Sequence, residues 1–126
     1  MRDYIAAMKL AMILALGLLA GCATPERSSP VAGQSTRQFE APLARVKPAF
    51  ISTVSSMGMR ISALEVRDGR EIIKARKTGS EVEIELDPVS RNATRARVAA
   101  KSGGLLYDDD TASRVMRQAE KLLGGS

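Results

Sequence analysis

The stretch Glu81-Val82-Glu83-Ile84-Glu85-Leu86-Asp87 alternates acidic and apolar residues at every step. Successive side chains of a strand point to opposite faces, so a period of two predicts a strand with one face buried and one in water. On one side, Thr78-Gly79 joins it to Glu71–Lys77. Asp68-Gly69, the stronger hairpin signal, joins that segment in turn to Met59–Val66. On the other side Asp87-Pro88 ends the strand, Ser90–Asn92 continues the loop, and Thr94–Lys101 supplies a further strand.

The register of this meander follows from matching faces. With Lys77 opposite Ser80, Ala75 meets Val82 and Ile73 meets Ile84, while Lys74 meets Glu83 and Arg76 meets Glu81. With Leu86 opposite Thr94, Ile84 meets Ala96, Val82 meets Val98, Glu85 meets Arg95 and Glu83 meets Arg97. Apolar then falls on apolar and acid on base, and a one-residue slip would invert every face. Lys74, Glu83 and Arg97 are therefore expected side by side in solvent.

Helical periodicity flanks the meander. Leu43, Val46, Phe50, Val54 and Met57 recur at steps of three and four, with Pro42 suited to a first turn and Gly58 to the C′ position. Pro48 either kinks this helix or moves its regular start to near Lys47. Ala112, Val115, Met116, Ala119, Leu122 and Leu123 mark a second amphipathic helix, with Asp110 as N-cap and Gly124 as its stop. The predicted fold is α+β. It is a two-layer sandwich over residues 38–126, ordered helix, four-stranded antiparallel meander, helix, with both helices on one face of the sheet.

The chain ahead of that domain has a different character. Arg2 and Lys9 precede an apolar run, Leu10–Ala20. A membrane-crossing helix needs roughly 20 apolar residues, so the run has the length of a secretory h-region instead. It ends in Leu19-Ala20-Gly21-Cys22, which resembles the lipobox of bacterial lipoprotein precursors. The resemblance implies a signal peptide at 1–21 and diacylglycerol on the Cys22 thiol. Cleavage before Cys22 then frees an amino group that is acylated in turn, with palmitate as the expected chain. Small Ala20 and Gly21 leave the scissile bond accessible, and a thiolate is the nucleophile that forms a thioether under mild conditions. The alternatives are a free buried cysteine, an ordinary cleaved signal, or a transmembrane anchor. Cys22 is the only cysteine, so no intramolecular disulfide is possible. Ala23 rather than aspartate follows it, which resembles the pattern for outer-membrane delivery.

Residues 23–37 are rich in Pro, Ser, Thr and Gly and read, with Cys22, as a lipidated tether at 22–37. The 126-residue chain has a formal net charge of +5; Arg2, Lys9 and Asp3 leave with the signal, so the mature part is one unit less positive. Acids are interspersed with bases, which favours an ordinary solvated surface over a polyanion-binding one. The order of elements is similar to that of a family of short periplasmic lipoproteins classed as a domain of unknown function. The features that carry this likeness are Phe39-Glu40-Ala41-Pro42, Gly58, Thr94–Val98 and Gly103-Gly104-Leu105. That family implies no catalytic residues.

Chemistry-bearing patterns are few. There is no histidine, the commonest general base and metal ligand. No G-x-S-x-G elbow occurs, and Gly103-Gly104 lacks the spacing and Lys-Ser/Thr ending of a phosphate loop. Asp108-Asp109-Asp110 could bind calcium, but acids before a helix cap free N–H groups, and further oxygen ligands are lacking. Glu83 and Glu85 could pass for paired carboxylates, yet bases are expected on both flanks. The four expected strands carry no aromatic residue on which nucleic-acid bases could stack. The expected function is a non-enzymatic interaction or accessory module. It has no cofactor, metal or nucleic acid, sits on a membrane through Cys22, faces the periplasm and takes an envelope protein as partner. The alternative is a periplasmic lipid- or small-ligand-binding module using Met57, Met59 and Met116 between helices and sheet.

Overall fold

A computed structural model describes residues 32–104 and 106–124. The elements in chain order are β1 (Gln34–Phe39), α1 (Leu43–Ser56), β2 (Arg60–Arg67), β3 (Arg70–Lys77), β4 (Ser80–Ser90), β5 (Ala93–Ser102), β6 (Leu106–Tyr107) and α2 (Asp109–Leu122). They form one antiparallel six-stranded sheet in the order β1-β5-β4-β3-β2, with β6 also on β5.

This overturns the helix, four-stranded meander, helix arrangement. A strand precedes α1, and a short one precedes α2. β1 begins at Gln34, inside the stretch read as tether and ahead of the domain start read at residue 38. It pairs from Gln34↔Ala99 to Phe39↔Thr94, and β6 continues the same edge of β5 at Lys101↔Tyr107. The physical reason is that an edge strand can be polar on both faces. Only Phe39 at its end is buried among core residues.

The β3–β4 pairing is the expected one, with Lys77↔Ser80, Ala75↔Val82 and Lys74↔Glu83. The β4–β5 register is two residues away from expectation: Leu86↔Ala96, Ile84↔Val98, Glu85↔Arg97 and Glu83↔Ala99. Each residue keeps its face, but Lys74, Glu83 and Arg97 do not form one row. The cause is Pro88, which does not end β4. It pairs with Thr94 beyond the last β3 partner, Glu71↔Leu86, and next to an irregularity between Pro88 and Ser90. Proline is tolerated in a sheet where no neighbouring strand needs its N–H.

Helix α1 runs through Pro48, whose exposed position leaves the ring in solvent. Its end is a Schellman motif: Met59 N–H donates to Val54 O at 2.9 Å and Gly58 N–H to Ser55 O at 3.1 Å, with Gly58 at φ +79°. Both helices cover the sheet face that carries Ile73, Ala75, Val82, Ile84, Leu86, Ala96, Val98 and Ala100. They bury Val46, Phe50, Val54, Ala112, Val115, Met116 and Ala119 there. Phe39 and Phe50 meet edge to face at 5.9 Å. Buried Thr94 ties the sheet to the start of α1 by donating from Oγ1 to Ala41 O at 2.9 Å. Among the described residues no helix is long and apolar enough to cross a membrane.

Candidate functional site

Among the described residues, the opposite face of the sheet has no helix over it. In register it carries Glu65 and Arg67 on β2, Arg70, Ile72, Lys74 and Arg76 on β3, four acids from Glu81 to Asp87 on β4, and Arg95, Arg97 and Lys101 on β5. Because β4 is acidic and its neighbours basic, Glu85 pairs across strands, while on β2 Glu65 pairs both along its own strand and across to β3. Glu85 accepts from Arg70 Nη1 at 2.6 Å and lies 3.5 Å from Arg97 Nη1. Glu65 accepts from Arg67 Nη2 at 2.6 Å and lies 3.6 Å from Lys74 Nζ. The Arg67 hydrogen bond and then the Lys74 charge hold the Glu65 carboxyl below its ordinary range, and Glu85 raises Arg70. Ile72 is only 5% exposed on this open face, so the stems of its long charged neighbours cover it.

Between the outer rows, where Ala99 is small among long side chains, lies a shallow groove of about 270 Å³. Ser62, Lys74, Arg76, Glu81, Glu83 and Lys101 are on its walls. Its acids and bases alternate, which suits a charged, water-facing surface. Glu83 makes no ion pair among the described residues, whereas Glu85 makes two. Glu83→Gln and Glu85→Gln are each expected to change stability by about 0–1 kcal/mol, because exposed pairs contribute little. Urea denaturation of the two variants checks this, and a loss of several kcal/mol at either position would contradict the solvated reading.

The aspartate run is divided among three tasks, and the N-cap is Asp108 rather than Asp110. Its Oδ1 accepts from Thr111 N–H at 3.0 Å and its Oδ2 from the Thr111 hydroxyl at 2.6 Å. Asp109 accepts from the N–H of Gly33, and Asp110 is exposed in the first turn. Among the described residues no three metal-ligating side chains cluster. The Thr111 hydroxyl, then its N–H, lowers the Asp108 carboxyl below its ordinary value. A depressed folded-state value stabilises the fold above the unfolded pKa, about 3.9, and this gain is lost as pH falls through the lower folded value. Asp108→Ala is therefore expected to cost about 0.5–2 kcal/mol at neutral pH. The gap to the unmodified protein should narrow in acid; a gap constant down the pH series would argue against capping.

Met59 and Met116 are 5% and 4% exposed within the core cluster, and Met57 packs partly buried against it. Phe50, Ile73, Ile84, Leu86, Val98 and Val115, all at 0% exposure, occupy the space between helices and sheet. Cys22 lies outside the described residues.

Sequence reading passed over two exposed side chains on β6, Leu106 at 69% and Tyr107 at 64% exposure. The Lys101 ammonium stands 6.0 Å from the Tyr107 ring centroid. The only local signal was the Gly103-Gly104 turn before them, where both glycines have positive φ. No family model matches the chain, and no curated protein matches it.

Proposed function

We propose that the chain is the precursor of a bacterial lipoprotein, cut before Cys22 and held by acyl chains on that residue, with its domain facing the periplasm, at the outer membrane by the Ala23 pattern. On this reading the domain is an interaction or accessory module without catalytic chemistry. The observation that carries it is the order Arg2, Lys9, the apolar run Leu10–Ala20, and Leu19-Ala20-Gly21-Cys22. Two or more acyl chains give durable anchoring where one gives marginal binding. The charge-laddered sheet face, which among the described residues no helix covers, supports a recognition role, since it presents polar groups along a shallow groove. A protein of the envelope is the partner on this reading.

Growth with a labelled fatty acid tests it. The protein is expected to take up label and to begin at Cys22, while Cys22→Ser accumulates as unlabelled, uncut precursor. Normal maturation of that variant, or a mature N-terminus elsewhere, would refute the anchor. Asp109→Asn, Glu83→Gln and Glu85→Gln, introduced singly into a deletion strain, are expected to complement wherever the protein level is kept. A correctly localised, folded variant that failed would point to acid–base or metal chemistry instead.

A further inference from the structure

The chain enters the domain at one end of the sheet, and that end has its own composition. Gly33, at the head of β1, is held there by Asp109 and by Ala100 N–H, which donates to Gly33 O at 2.8 Å. The same end carries the last row of the open face, Arg60↔Arg76↔Glu81↔Lys101↔Tyr107 from β2 to β6. Three cations and one acid stand in this row beside an exposed ring. Lys77 at the neighbouring turn donates to Met57 O at 3.3 Å on the helix side, and exposed Leu106 precedes Tyr107 on β6. Asp108, Asp109 and Asp110 stand at the same end and keep their charges, since Thr111 and Gly33 are neutral donors, but they belong to the start of α2 on the helix layer, so the cationic surface is the open-face row alone.

Resting on the Cys22 anchor of the preceding section, we infer that the domain seats this end of its sheet on an anionic lipid surface, the one that holds its own acyl chains. Three features converge. From Cys22 to Ala32 the chain is about ten residues and spans at most roughly 35 Å however it is arranged. β1 starts earlier than the composition implies, so this end is the part of the domain held nearest the lipid. Cations beside an anionic surface gain about 1 kcal/mol each, which is about fivefold in affinity. Tyrosine and leucine suit the boundary between headgroups and chains, where an amphipathic ring has its polar tip in water.

The test uses the mature acylated protein in phosphatidylcholine vesicles, with or without phosphatidylglycerol and with bromine near the carbonyl end of the chains. Tyr4 leaves with the signal peptide and there is no tryptophan, so Tyr107 is the sole reporter of its kind. Its emission is expected to be quenched in the anionic brominated vesicles. Arg76→Glu with Lys101→Glu should restore it, with docking weakened by at least about fivefold per position. Raising salt from 0.1 M to 1 M, which shortens the screening length from about 10 to about 3 Å, should restore it in the unaltered protein too. An N-terminal peptide without acyl mass would overturn the anchor and the docking together. An acylated protein whose emission ignores bromine would overturn the docking alone. So would an emission loss that follows protein density in neutral, unbrominated vesicles, which would assign the surface to a second copy of the chain.

Discussion

Gly33→Ala is expected to lower the stability of the domain by about 2–4 kcal/mol, combining the left-handed backbone cost with a steric one. Gly33 has φ +73°, and a Cβ added there would lie 2.8 Å from both Cβ and Cδ1 of Tyr107 and 3.0 Å from the Ala100 carbonyl oxygen. The first contact is with the root of a side chain and the last with backbone, so neither yields by a rotamer change. The whole junction of β1, β5 and β6 must shift, and with it the Asp109 hydrogen bond. Gly58→Ala is the control. It has φ +79° and nothing within 4 Å of the added atom, so it carries the backbone cost alone, about 1–2 kcal/mol. Urea midpoints with unchanged slopes measure both. Equal losses at the two glycines would show that the packing at Gly33 is looser than described.

Phe50→Ala is expected to be the most damaging single truncation, at about 3–5 kcal/mol. Phe50 is 0% exposed and sits where α1 meets the sheet, edge-on to Phe39. These are the only two phenylalanines. Apart from Phe39, Met59 and Met116 the core is built from Val, Ile, Leu and Ala, so little can fold into the space left behind. A domain of this size has on the order of 5–10 kcal/mol in total, so the variant should retain little of it. Thermal melting followed by circular dichroism is the measurement. A fall comparable to that of an exposed residue such as Leu122, which is 52% exposed, would contradict the central place given to this ring.

The two faces of β3 and β4 were legible because Glu81–Asp87 alternates without exception and Lys74 and Arg76 answer it. Side-chain direction in a strand depends only on period, so a pattern that clean leaves one solution. The step from β4 to β5 differs by two residues from the expected register because Pro88 reads as a terminator in the sequence. Proline breaks a ladder only where its missing N–H is needed, which depends on where β3 stops. β1 was hidden because Gln34-Ser35-Thr36-Arg37-Gln38 has no apolar alternation; its partners lie on β5, far along the chain. The α2 cap was ambiguous for a local reason, since three successive aspartates all suit the position and only Thr111 decides among them. The resemblance of Leu19-Ala20-Gly21-Cys22 to a lipobox is legible in the sequence, but the cationic end of the sheet is not. Arg60, Arg76, Lys101 and Tyr107 become one row only when four separate pairings are known.

The place of β1 also sets an order of events in time. β2 to β5 are joined by tight turns, so that part of the sheet can assemble from local contacts soon after it is made. β1 must close a loop of about 60 residues, which costs entropy before any pairing repays it. A chain made from its N-terminus outward exposes β1 first and supplies its partner β5 only after β2, β3 and β4. β1 is thus incorporated only after the β2–β5 meander has formed. Until it is, β5 presents a bare edge with unpaired backbone groups, open to another extended chain. Slowing the entry of β1 would prolong that interval, making aggregation of newly made protein the first symptom of damage at Gly33, ahead of any loss in the folded population.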